Sequence, residues 1–181
     1  MPDKGGFPHY MLKEIFEQPK ALEETIAPRV SRETGEVRLA EEVRIGSDEL
    51  RSVRRVNIVA SGTSRHAGIA GQFMFQELVH LPVDVDYASE FEYRNPPIGP
   101  EELTISITQS GETADTMAAQ RLARQKGSRT IAISNVLNST VATKRTAFST
   151  RMQGQKSVSR PRRPSRRRWR CCFFWPHTWR K

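Results

Sequence analysis

Residues 56–80 read VNIVASGTSRHAGIAGQFMFQELVH. The opening VNIVAS (56–61) is a short apolar run that stops at Gly62, the pattern of a strand buried on both faces. Residues 63–80 are of helix length, with Ala67, Ala70, Phe73, Met74 and Leu78 as the expected apolar side. The same alternation continues downstream. PVDVDYA (82–88) alternates like a strand, and SEFEYR (89–94) is a short helix or turn ended by Asn95-Pro96-Pro97. LTISIT (103–108) predicts a third strand, residues 112–127 an Ala-rich helix stopped by Gly127, and SRTIAISN (128–135) a fourth strand. Strands alternating with helices predict an α/β fold, a parallel sheet covered on both faces. Right-handed crossovers gather the strands' C-terminal ends on one edge, where ligands of such sheets bind.

Upstream, residues 9–27 predict a helix with Met11, Ile15, Leu22 and Ile26 on one side and a break or kink at Pro19. Residues 29–50 are charged and turn-rich. The whole chain has 181 residues, enough for one domain with a core. Its net charge of +9 conceals a sharp break. All 20 acidic residues precede position 144, whereas 13 of the 29 Lys and Arg lie from Lys144 onward, so the body carries −4 and the tail +13. All three Trp (Trp169, Trp175, Trp179) and both Cys (Cys171, Cys172) also lie in the tail. The organisation expected is a helical linker segment over 1–50, a partial α/β domain over 51–143 and an irregular basic tail over 144–181. No apolar run reaches the roughly 20 residues of a bilayer span, and MPDKGGFPHY lacks a signal pattern, so a soluble cytoplasmic protein is expected. The adjacent cysteines have no C-x-x-C spacing or histidine partners, so no metal and no cofactor is expected.

Two loops share one design. Ala60-Ser61-Gly62-Thr63-Ser64 and Thr108-Gln109-Ser110-Gly111-Glu112-Thr113 each join a strand to a helix, and each surrounds a glycine with hydroxyls. A glycine allows a tight turn or close approach to a ligand, and a helix N-terminus favours an anion. Such loops suit a phosphate and a polyhydroxylated sugar without a cationic side chain. The plain alternative is N-cap and turn chemistry alone, which two matching loops at matching strand ends make less economical. Neither loop has a nucleotide-binding spacing. His66 reads as a partly buried helix histidine, Glu112 as a first-turn residue complementing the helix dipole, and Asp84 and Asp86 as solvated or hydrogen-bonded strand residues.

The strings HYMLKEIFEQPKAL, SGTS, ASEFEYR and TQSGETADT, in this order across residues 3–143, resemble the isomerase portion of the glutamine–fructose-6-phosphate aminotransferase family. The resemblance implies the sugar isomerase (SIS) fold, a flavodoxin-like parallel sheet, here incomplete. That family makes glucosamine 6-phosphate from fructose 6-phosphate and glutamine, and works as a homodimer. Its two hydroxyl-rich loops hold the sugar phosphate, which implicates Thr63, Ser64, Thr108, Gln109, Ser110 and Thr113 as substrate-binding, with Gly62 and Gly111 supporting. Thr108 stands where the family usually has Ser and keeps the hydroxyl. The family's glutaminase domain, its second SIS subdomain, its Schiff-base lysine and its acid and histidine have no counterpart in these residues. A fragment unable to make glucosamine 6-phosphate is therefore expected, with no catalytic residue of its own.

Beyond STVA (139–142) the chain leaves the family pattern. Read one base out of register, the tail's permitted codons spell EADGV-x-YTHAGPEVGVASTKAFTAQ and then an apolar helix, as the family continues. Met152/Gln153 and Trp175/Pro176 must then each give Ala, and Cys171/Cys172 and Phe174/Trp175 each Leu. A slipped frame near Thr143 is the expectation, which would leave the fourth strand at a sheet edge. Two rival readings are a non-catalytic SIS sensor of a sugar phosphate and a nonspecific nucleic-acid or polyanion binder. The second would act through Arg160, Arg162, Arg163, Arg166, Arg167, Arg168 and Arg170.

Overall fold

The computed structural model describes residues 3–39, 43, 45–136, 139–143 and 147–149. Helix α1 (Tyr10–Ile26) leads through a short 3-10 turn (Ala27–Arg29) and helix α2 (Ser47–Arg51) into an alternating unit. That unit runs β1 (Arg55–Ala60), α3 (Thr63–Val79), β2 (Val83–Tyr87), α4 (Ala88–Arg94), β3 (Glu102–Ile107), α5 (Ala114–Gln125), β4 (Arg129–Ser134), α6 (Thr140–Thr143) and β5 (Ala147–Ser149). The strands form one sheet in the order β2-β1-β3-β4-β5, and every pair is parallel.

Side chains alternate across this sheet and supply two cores. Val56, Ile58 and Ala60 of β1 join Leu103, Ile105, Ile107, Ile131, Val83 and Phe75 on one face. Leu39, Val43 and Ile45, from the charged stretch before β1, belong to the same core. Val59 points the other way, into a cluster with Ala88 and Phe91 of α4 and Ala119 and Ala123 of α5. Helices on both faces are the arrangement that buries a parallel sheet, as the alternation predicts.

Several local expectations are corrected. α1 runs unbroken through Pro19. Proline removes the amide that would bond the Ile15 carbonyl, but Ile15, Phe16, Pro19 and Lys20 are all exposed, which leaves that side of the helix open to water. The α1 stripe is only partly covered: Met11 is 55% and Ile15 46% exposed, and the helix packs instead through Ala21 and Thr25. α3 keeps part of its expected face, with Ala67 buried and Met74 packed against the core, but not the rest. It buries Ser64, Ala67, Gly68, Gly71 and Phe75, while Phe73 is 66% exposed. Small residues win that face because the helix lies close to the sheet: a β-carbon on Gly68 would stand 2.9 Å from Ile58 Cγ2 and 3.2 Å from Val85 Cγ1.

The fourth strand is not at an edge. Ala147–Ser149 pairs with Ala132–Ser134 in parallel, satisfying backbone groups that β4 would otherwise leave open. The tail arginines named above, the three tryptophans and both cysteines lie outside the described residues, and with them the readings of the tail as a slipped frame or a polyanion site. Among the described residues, no helix is long and apolar enough to cross a membrane.

Candidate functional site

The chain order reverses direction across the sheet between β1 and β3. From β1 the next strand, β2, lies on one side, whereas β3 and β4 are added on the other. Ala60 is in register with Ile107, so the two strands end together, about 4.8 Å apart. Ser61 and Thr108 therefore leave the sheet side by side and head toward opposite faces, into α3 and α5. This opens the crevice at the C-terminal edge in which open α/β sheets bind ligands.

The first loop is set by Gly62. Its φ of 55° and ψ of −134° belong to a region that side-chain-bearing residues avoid. The turn closes with Ser64 N–H donating to the Ser61 carbonyl at 3.2 Å and Arg65 N–H to the Gly62 carbonyl at 3.1 Å. Gly62 and Thr63 are exposed, while Ser64 faces inward at 4% exposure. Ser61 Oγ is buried with no hydrogen-bond partner among the described residues, a polar atom that a ligand or water would satisfy. Arg65 turns aside from the crevice. Its guanidinium lies 4.3 Å from the centre of the Tyr87 ring, and Nη2 donates to the Val85 carbonyl at 3.5 Å.

The second loop is braced from within and from behind. Thr108 Oγ1 accepts from Gly111 N–H at 3.3 Å and lies 3.4 Å from Thr113 Oγ1. Ser110 Oγ accepts from Glu112 N–H at 3.2 Å, and Ser110 itself is exposed. Behind the loop, Asn135 N–H donates to the Gln109 carbonyl and Val141 N–H to the Gly111 carbonyl, each at 3.2 Å. Glu112 completes the brace. Its Oε1 accepts from Thr140 N–H and its Oε2 from the Thr140 hydroxyl, both at 2.7 Å. These two bonds, the backbone one first, hold the carboxyl below its ordinary range.

Most sequence-predicted residues thus meet at one edge: Gly62, Thr63 and Ser64 beside Thr108, Gln109, Ser110, Gly111 and Thr113. Glu112 is not a first-turn residue of α5, which begins only at Ala114; its carboxylate is drawn to Thr140 instead. His66 is exposed rather than partly buried, because Ser64, Ala67 and Gly68 take the inner side of α3. Asp84 pairs with Arg55 and Asp86 with Arg94, the second being the close contact. Among the described residues no three His, Cys, Asp or Glu cluster as a metal site would need. The brace from Asn135, Thr140 and Val141 had no signature in spacing, since Thr140 lies 28 residues from Glu112.

The family model for the SIS domain matches residues 49–158. This chain belongs to the SIS domain family. Over 139 residues, 77% of the chain, it is 49% identical to glutamine–fructose-6-phosphate aminotransferase [isomerizing] of Chlorobaculum tepidum. It is 46% identical over 139 residues to the enzyme of the same name from Methanosarcina acetivorans. Among solved structures, the C-terminal domain of glucosamine-fructose-6-phosphate aminotransferase from Francisella tularensis superposes with a TM-score of 0.80 at 30% identity, covering 98% of this chain. This SIS chain spans 22% of each of the two curated relatives and 48% of that solved domain.

Proposed function

We propose that the chain carries one half of a fructose 6-phosphate site. Thr63 and Ser64 of the first loop, with Thr108, Gln109, Ser110 and Thr113 of the second, hold the phosphate and sugar hydroxyls. The observation that carries this reading is the pairing of Ala60 with Ile107, which sets two glycine-hinged, hydroxyl-bearing loops at the reversal point of the sheet. Hydroxyl donors and backbone amides at the start of α3 and α5 suit a dianion and vicinal hydroxyls. The unpartnered Ser61 hydroxyl adds a further polar group to the same crevice.

In this reading the chain binds without turning over. Neither crevice loop carries a lysine to form a sugar imine, so amino transfer from glutamine needs groups from elsewhere. A cytoplasmic setting, where sugar phosphates are made and used, belongs to the same reading.

The test is calorimetric titration of the full 181-residue chain with fructose 6-phosphate, fructose and inorganic phosphate. Saturable binding of fructose 6-phosphate, at least tenfold tighter than either part alone and weakened by Ser110→Ala, is expected. Absence of saturable binding rejects the half-site. Glucosamine 6-phosphate formed from fructose 6-phosphate and glutamine by the purified chain rejects the inactive reading.

A further inference from the structure

We propose that Glu112 is a positioning residue, a latch whose closure on Thr140 fixes residues 108–113 in their ligand-binding conformation. The proposal deepens the half-site reading and rests on it. Three contacts, two of them between backbone groups, meet at this point of the chain. The Gln109 carbonyl is held by Asn135, the Gly111 carbonyl by Val141, and the Glu112 carboxylate by Thr140. Gln109, Gly111 and Glu112 are thereby all tied to the segment that follows β4.

Glu112 is the strongest of these ties, because a charged acceptor receives two donors at 2.7 Å. It also serves the other partner. α6 has four residues, too few to stand as an isolated helix, and its first amide is capped by this carboxylate from 28 residues away. Loop and short helix therefore stabilise each other, and neither is set by its own local sequence.

The consequence for the site is geometric. Ser110 Oγ is aimed by its bond from Glu112 N–H, and Thr108 Oγ1 by its bond from Gly111 N–H. Releasing the carboxylate lets the backbone at 111–112 turn and carries both hydroxyls away from the crevice. The same contacts argue against Glu112 as a proton-abstracting base: both its oxygens already accept hydrogen bonds from Thr140, which stabilise the charged form. The chain thus holds the loop ready with residues that all precede position 144, before its sequence leaves the family pattern.

The experiment uses the full chain and five proteins: wild type, Glu112→Ala, Thr140→Val, Thr140→Ser and the double variant Glu112→Ala/Thr140→Val. Fructose 6-phosphate affinity and amide hydrogen exchange over residues 109–113 are read together. Glu112→Ala is expected to weaken binding about tenfold and to speed exchange across 109–113, with a modest drop in the thermal midpoint of the chain. Thr140→Val, which keeps the amide donor, loses less, and Thr140→Ser restores wild-type affinity and exchange. The double variant Glu112→Ala/Thr140→Val should be no weaker than Glu112→Ala alone. Wild-type affinity in Glu112→Ala, wild-type exchange in Glu112→Ala, or a Thr140→Ser no better than Thr140→Val overturns the latch. If wild type binds no fructose 6-phosphate, the half-site reading fails, and the exchange measurement alone decides whether the latch exists.

Discussion

Ser139 occupies the space that a side chain at Gly111 would need. A β-carbon built on Gly111 would stand 2.0 Å from Ser139 Oγ and 2.3 Å from Ser139 Cβ. The glycine in the second loop therefore answers to two demands at once, a φ of 71° and contact with chain that follows β4.

Gly111→Ala meets both demands badly. The left-handed backbone and the forced contact each cost about 1–3 kcal/mol. A loss of about 3 kcal/mol is expected in urea denaturation, together with loss of fructose 6-phosphate binding. Retention of wild-type stability would show that Ser139 moves aside freely.

Gly68 makes the matching prediction on α3. Its missing side chain lets the helix settle on Ile58 and Val85, and Gly68→Ala forces a β-carbon to 2.9 Å from Ile58 Cγ2. A destabilisation of about 1–3 kcal/mol is expected from overpacking. Adding Ile58→Ala removes the offending Cγ2, so Gly68→Ala/Ile58→Ala should lose less than the sum of the two single variants. A double variant as unstable as the sum of the singles would place the strain elsewhere.

Acid should loosen two carboxylate contacts. The Gly46 amide, helped by the Arg129 guanidinium, holds Glu49 below the ordinary 4.5, and Thr140 does the same for Glu112. A folded value depressed below the unfolded one contributes stability that is fully present above about 4.5 and is lost as pH falls through the folded value. The thermal midpoint should therefore fall as pH is lowered from 5 toward about 3. That fall should be shallower in Glu49→Gln/Glu112→Gln. An identical pH profile in wild type and the double variant would remove these groups from the acid response.

The open edge of β2 is guarded by α3. Val56 N–H donates to the Pro82 carbonyl, so alternation turns the carbonyls of Val83 and Val85 outward. Gln72 Nε2 donates to the first at 2.6 Å and Arg65 Nη2 to the second at 3.5 Å. Arg65→Ala/Gln72→Ala should bare a pairing edge and raise concentration-dependent aggregation, measured by light scattering at constant temperature. Fructose 6-phosphate affinity should stay unchanged, because both side chains turn away from the β1–β3 crevice. Unchanged scattering would mean that the edge is protected by other means.

Much of the fold was legible because strand and helix periods were written cleanly. VNIVAS, LTISIT and TIAIS are short runs that read as strands buried in a sheet, and each is followed or preceded by a helix-length segment. The loops were legible because Gly62 and Gly111 interrupt those periods with hydroxyl neighbours. Which side of α3 faces the sheet was only partly legible, through Ala67 and Met74. Apolarity pointed to Phe73 and Leu78, but close approach selected Gly68 and Gly71, and proximity is a property of two elements rather than of one. Pro19 misled for a similar reason, since its cost depends on whether the bereft carbonyl meets water.

The sequence by itself determined the alternating α/β plan, the gathering of the strands' C-terminal ends on one edge, and the hydroxyl-bearing residues of both loops. Those follow from local pattern and chain handedness, which need no knowledge of distant contacts. Tertiary structure alone decided that Ala60 and Ile107 end in register, that β5 covers β4, and that Glu112 reaches Thr140 rather than its own helix. Each of these joins residues far apart along the chain, and such pairings are chosen by which backbone and polar groups remain unsatisfied once the sheet has formed.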